Sequence, residues 1–130
     1  MKKIIIIAKI LITFLFCQDI YIINNLIEKE GTFYNYMSDK PISGKLYFNY
    51  EISKNNFKRL FVGNLENGIK NGLWIRYWDN GLKKSEGIYQ KSLKQGIWVE
   101  WQENGSKYLE ILYKNDSIVH FTNCLKDNCN

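Results

Sequence analysis

GLWIRYWDNGLKKSEGIYQKSLK, residues 72–94, is answered almost at once by GIWVEWQENGSKYLEILYKNDSIV, residues 96–119. Gly72, Trp74, Asn80, Gly81, Lys83, Glu86 and Tyr89 recur 24 residues later as Gly96, Trp98, Asn104, Gly105, Lys107, Glu110 and Tyr113. Each copy reads Gly-x-Trp-x-x-aromatic-x-x-Asn-Gly, with Tyr77 in the first and Trp101 in the second. A fixed period of this size marks a chain built from one small unit used several times. Such units share a core with their neighbours because none buries its own apolar face alone.

Outward from these copies, β-rich stretches alternate with turn signals. Gly44–Tyr50, Lys58–Leu65, Gly72–Trp78, Leu82–Tyr89, Gly96–Gln102, Ser106–Tyr113 and Ser117–Thr122 read as strands. The turns are Lys54-Asn55-Asn56, Asn67-Gly68, Asn80-Gly81, a looser one at Lys91–Lys94, Asn104-Gly105 and Asn115-Asp116. The expected fold is all-β, with antiparallel hairpin repeats forming a single twisted or rolled meander sheet.

A two-residue loop at Asn80-Gly81 makes position i face position 161 − i. Trp74 then lies opposite Gly87, and Tyr89 opposite Gly72. In the next copy Tyr113 lies opposite Gly96. The glycines are expected to leave room for the facing rings. Trp74, Tyr89, Trp98, Ile111 and Tyr113 fall on one face, with Arg76, Glu100 and Lys83 near the tips. The other face carries Leu73, Ile75, Tyr77, Ile88, Ile97, Val99, Trp101, Tyr108 and Leu112, with Lys84, Glu86 and Glu110. Both faces are apolar enough to need a cover, which a sheet with two wet faces would not.

Residues 1–17 read as an export leader: Lys2 and Lys3, an apolar run to Phe16 broken by Lys9, then polar Gln18 and Asp19. The alternatives are an uncleaved anchor, a buried strand, or lipidation at Cys17. The chain carries 18 Lys+Arg against 13 Asp+Glu; Lys2, Lys3 and Lys9 leave with the leader, so 15 remain against 13. Basicity is therefore largely a property of the leader, and no nucleic-acid partner is expected. Cleavage also leaves Cys124 and Cys129 as the only cysteines, which suits a disulfide in an oxidising compartment. Two free thiols are the alternative. Residues 18–39 form an N-terminal cap, with Ile20–Ile27 readable as strand or helix. Residues 40–122 hold about three repeats, and 123–130 a C-terminal tail.

The pattern Gly-x-Trp-x-x-Tyr/Trp-x-x-Asn-Gly, followed by Lys and Glu-x-x-Tyr, resembles the variant MORN repeat. That repeat occurs in many bacterial proteins, among them the YwqK-family antitoxins of toxin–antitoxin systems. The likeness spans about Lys40 to Phe121, with the Pro41-Ile42-Ser43-Gly44 entry in front. In the first unit Leu46 stands where Trp is expected. Its repeat positions here are Gly72, Trp74, Gly81, Gly87, Tyr89, Gly96, Trp98, Gly105 and Tyr113. The resemblance implies a hairpin-repeat fold and, for some members, toxin neutralisation by direct binding.

Chemistry is sparse. His120 is the only histidine, with no acid or nucleophile in register to form a relay. The carboxylates recur with the repeat, as solvent-facing strand positions do. No catalytic residue, cofactor or metal site is expected. The expected function is an exported, non-enzymatic repeat module that binds a protein or envelope component through its apolar sheet face, at Ile75, Tyr77, Val99 and Trp101. Membrane contact would come only through the leader or a lipid anchor. The alternatives are a cytoplasmic antitoxin-like protein and a glycan-binding module.

Overall fold

The computed structural model describes residues 19–127 and 129; the leader assigned to residues 1–17, with Cys17, lies outside them. The chain forms β1 (Ile20–Ile22), a 3-10 turn (Ile23–Asn25), β2 (Leu26–Lys29), β3 (Thr32–Asn35), β4 (Gly44–Ser53), β5 (Asn56–Glu66), β6 (Ile69–Tyr77), β7 (Lys83–Gln90), β8 (Leu93–Trp101), β9 (Lys107–Lys114), β10 (Ser117–Asn123) and helix α1 (Cys124–Asp127). Eight strands make one open sheet in the order β1-β4-β5-β6-β7-β8-β9-β10. Every neighbour pair is antiparallel except β1 on β4. A separate hairpin, β2-β3, completes an all-β architecture that does not close into a barrel.

The turns at the two ends of the sheet differ. At one end Asn67-Gly68, Lys91-Ser92 and Asn115-Asp116 each place both residues at positive φ. Their flanks pair directly, as Glu66 with Ile69, Gln90 with Leu93 and Lys114 with Ser117. These are two-residue primed turns, whose twist matches that of the strands. Lys91-Ser92 is thus tighter than its sequence suggests. In the first unit the turn is Lys54-Asn55, with Asn55 at φ 63° and Asn56 already in β5.

At the other end Asn80-Gly81 and Asn104-Gly105 are not two-residue loops. Only the glycine of each pair has positive φ. Trp78 N donates to Leu82 O at 2.8 Å, and Gly81 N to Trp78 O at 2.9 Å. Gln102 and Gly105 repeat both bonds in the next unit. The asparagine side chains explain the difference: Asn80 Oδ1 accepts from Leu82 N and Asn104 Oδ1 from Ser106 N, each at 2.9 Å. That bond holds a turn ending on a left-handed glycine. A bulge between Arg76 and Tyr77 then absorbs the extra residue. Beyond it the expected register returns, with Trp74 opposite Gly87, Gly72 opposite Tyr89, and Gly96 opposite Tyr113. At the tip the bulge pairs Tyr77 with Lys83. Lys83, expected on the Trp74 face, therefore joins the Ile75 face, where its Nζ meets the Glu86 carboxylate.

The core lies on the tryptophan face. Leu46, Val62, Leu65, Trp74 and Trp98 are buried there with Phe33 and Ile42. Leu46 is 0% exposed, so the first unit fills its tryptophan position with a smaller side chain. The N-terminal segment covers this face, a choice between two apolar faces that the sequence left open. Tyr21, Ile23 and Leu26 pack against the Trp74 cluster. Parallel pairing of β1 at the sheet edge lets the 3-10 turn carry the chain over the side where the largest rings need cover. Phe33 N to Gly68 O (2.8 Å) and Gly68 N to Ile42 O (2.6 Å) fix the cap to the first primed turn.

The indoles choose glycines, though partly not those expected. Trp74 lies over Gly63 of β5, and Trp98 over Gly87 of β7; a methyl group at either glycine would overlap the ring. Trp74 Nε1 donates to Asn64 O (3.0 Å) and Trp98 Nε1 to Ile88 O (3.2 Å), positions 24 residues apart. Tyr89 does not cover Gly72, nor Tyr113 Gly96. Next to Gly72 the nearest atom is Asn64 Nδ2 at 3.4 Å, and nothing lies within 4 Å at Gly96. These two glycines are needed for φ values of 85° and 67°. They sit where the pairing with the preceding strand slips, between Gly63 and Leu65 and between Glu86 and Ile88. Left-handed glycines are suited to such bulges. The third equivalent of Gly63 and Gly87 is Ile111, which pairs with Phe121, a position that carries no indole.

Candidate functional site

On the core face the rings form a continuous ladder. Phe33, Trp74, Tyr89, Trp98 and Tyr113 follow one another with centroid spacings of 6.0, 5.9, 5.0 and 6.3 Å, the last three edge-to-face. Lys70 Nζ lies 5.0 Å from the Trp74 ring centroid and 5.4 Å from that of Tyr89. Lys94 repeats the contact over Trp98 (4.5 Å) and Tyr113 (4.6 Å). Lysines over ring faces gain from the ring quadrupole. Burial, then the Asp116 carboxylate, pushes the Tyr89 phenol above its ordinary range. The β2-β3 cap covers only the primed-turn end of this face. Toward the Asp79-Asn80-Gly81 loop a cavity of 400 Å³ remains, walled by Ile23, Phe48, Val62, Trp74, Trp78 and Trp98 among others, with Lys70, Arg76 and Asp79 on its lining.

On the opposite face the four residues singled out from sequence lie in two pairs, Ile75 and Tyr77 on β6 and Val99 and Trp101 on β8, with Glu86 of β7 in register between Ile75 and Val99. Ile75 is buried at 7% exposure. Tyr77 donates its hydroxyl to Phe61 O at 2.7 Å. Burial, then the Glu86 carboxylate, raises its pKa. Val99 and Trp101 are half-buried, and Lys83 lies 5.6 Å over the Trp101 ring. Lys83–Glu86 and Lys107–Glu110 ion pairs run through this end of the face. The exposed apolar area lies nearer the primed turns, where Leu73 faces Ile88 and Ile97 faces Leu112. These four side chains are 37, 45, 60 and 38% exposed. The sequence placed them on this face without separating them from Ile75.

No catalytic relay is assembled among the described residues. His120 is exposed, and its Nε2 lies 3.4 Å from Thr122 Oγ1. The raised Tyr108 phenol follows from its hydrogen bond to Glu100. Cys124 and Cys129 form the expected disulfide. Glu110 lies beside them, within 4.8 Å, but sulfurs joined in a disulfide offer no thiolate for a metal. Gly63, Lys70 and Lys94 were not singled out from sequence, although Gly63 stands 24 residues before Gly87, and Lys70 the same distance before Lys94. No helix among the described residues is long and apolar enough to cross a membrane. Searches against protein-family profiles, curated proteins and solved structures find no match.

Proposed function

We propose that this chain is an exported, non-enzymatic repeat module of the variant MORN kind, which binds a protein of the cell envelope through the sheet face opposite its tryptophans. The supporting observation is the exposed aliphatic block Leu73, Ile88, Ile97 and Leu112, two directly paired couples on a face that the cap leaves bare. Contiguous apolar patches on otherwise polar surfaces mark interaction sites. Val99 follows the block toward the tip, and Trp101 beyond it supplies an aromatic side chain on the same face.

Ile97→Asp tests this reading. The side chain is 60% exposed, so the variant should melt within about 2 °C of the parent, as surface changes do. Its retention on the native envelope fraction should fall by about tenfold or more, the loss expected from placing a charge in an apolar contact. Unchanged retention rules the block out as the binding surface. The N-terminal mass of the native protein separates compartments: a chain beginning near Gln18 supports export, whereas one that keeps Met1 and stays in the cytoplasm supports the antitoxin alternative.

A further inference from the structure

We infer that the cavity on the tryptophan face is a binding site for an amphiphilic carboxylate with a single extended apolar chain. Its volume of 400 Å³ falls within the range of small-molecule sites. The wall is chiefly carbon: Ile23 from the 3-10 turn, Phe48 and Val62 from β4 and β5, and the rings of Trp74, Trp78 and Trp98. A sugar would leave most of its hydroxyls unpaired against such a wall. A hydrocarbon chain would not.

Charge settles the other end of the ligand. Lys70 and Arg76 lie on the lining against the single carboxylate of Asp79. Lys70 is already held over Phe33, Trp74 and Tyr89. Arg76 has no carboxylate within salt-bridge distance among the described residues. Its register partner on β7 is Ser85, which is 4% exposed and whose Oγ has no hydrogen-bond partner among the described residues. Ser85 stands outside the cavity wall itself. The buried Ser85 hydroxyl is therefore out of a ligand's reach, whereas the Arg76 side chain is exposed and open to one. A carboxylate is the group that a guanidinium grips with two parallel bonds. The site is separate from the aliphatic block on the opposite face and does not depend on it.

The experiment titrates the full-length protein with straight-chain carboxylates from hexanoate to dodecanoate, below their micellar concentrations, following indole fluorescence. Saturable one-to-one binding is expected, tightening about fourfold per added methylene as each is buried. Dodecanol should bind about tenfold more weakly than dodecanoate, the worth of a charged hydrogen bond. Arg76→Gln should erase that preference while leaving dodecanol binding unchanged, and Arg76→Lys should retain part of it. Leu73→Ser combined with Ile97→Ser should change nothing. Non-saturating fluorescence changes, equal affinity for acid and alcohol in the parent, or loss of binding in the Leu73→Ser, Ile97→Ser protein would each overturn the inference. So would binding of an oligosaccharide with no response to dodecanoate.

Discussion

Gly87→Ala should be among the most damaging single-methyl changes available in this chain, and it should become nearly harmless once Trp98 is gone. The added methyl would overlap the indole of Trp98. That ring is itself 3% exposed and hydrogen-bonded to Ile88 O, so it has little room to retreat. Overpacking of this kind costs about 1–3 kcal/mol, and more when the neighbour is locked. In a Trp98→Ala background the same methyl enters the space the ring has left and replaces a flexible strand glycine. The change should then be neutral or stabilising by about 0.5 kcal/mol. Gly63 and Trp74 should behave alike. Gly96 supplies the contrast. It has open space around it and φ of 67°, so Gly96→Asn, which tolerates that conformation, should be mild while Gly87→Asn is severe. Chemical denaturation of the four proteins in the Gly87/Trp98 cycle is decisive, and additive free energies would refute the contact.

Trp98→Ala is the second large effect. Removing a ring buried between Tyr89 and Tyr113 breaks the ladder in its middle. A loss of about 3–5 kcal/mol is expected for an aromatic-to-alanine change in a core, or roughly 12–20 °C in melting temperature for a domain of this size. Trp101→Ala removes a half-buried ring with Lys83 above it and should lower the melting temperature by less than half as much. Trp101 shares the face of the proposed contact surface, so that variant should weaken partner binding more than it weakens the fold. If Trp101→Ala unfolds the domain and Trp98→Ala is benign, the two faces have been assigned the wrong way round.

The period made the meander legible, and the two-residue loop rule gave the β6–β7 pairing register away from the tip. Gly72, Trp74, Gly87 and Tyr89 fall where the 161 − i rule puts them. The same reading failed at the tip, because a side chain chose the turn: Asn80 bonding to Leu82 N favours three residues over two. One bulge repaired the register for the strand and still moved Lys83 across the sheet. Glycine roles were confused for a related reason. A sequence shows that a glycine recurs, but not whether the missing atom is a steric need, as at Gly87, or a dihedral one, as at Gly96. The site was least legible. Which face the cap would choose depends on β1 joining the sheet edge in parallel, and no local pattern in Ile20–Ile27 encodes that.

The primed turns are stitched together by bonds that recur with the period. Ser92 N donates to Lys70 O and Asp116 N to Lys94 O, while Lys70 N and Lys94 N reach back to the side chains of Ser92 and Asp116. Each unit therefore offers its successor the same socket that it received, and copy number becomes a heritable variable: duplicating 72 nucleotides in frame would lengthen the molecule by one hairpin without inventing a contact. The series also carries its own stop signal. Where another glycine would invite another tryptophan, the chain has Ile111, and its facing strand ends the count. A protein with residues 72–95 duplicated after Gln95 should fold and melt above its parent, as nearest-neighbour stacking requires. A lower melting point would mean that the units are alike in sequence but not interchangeable in fact.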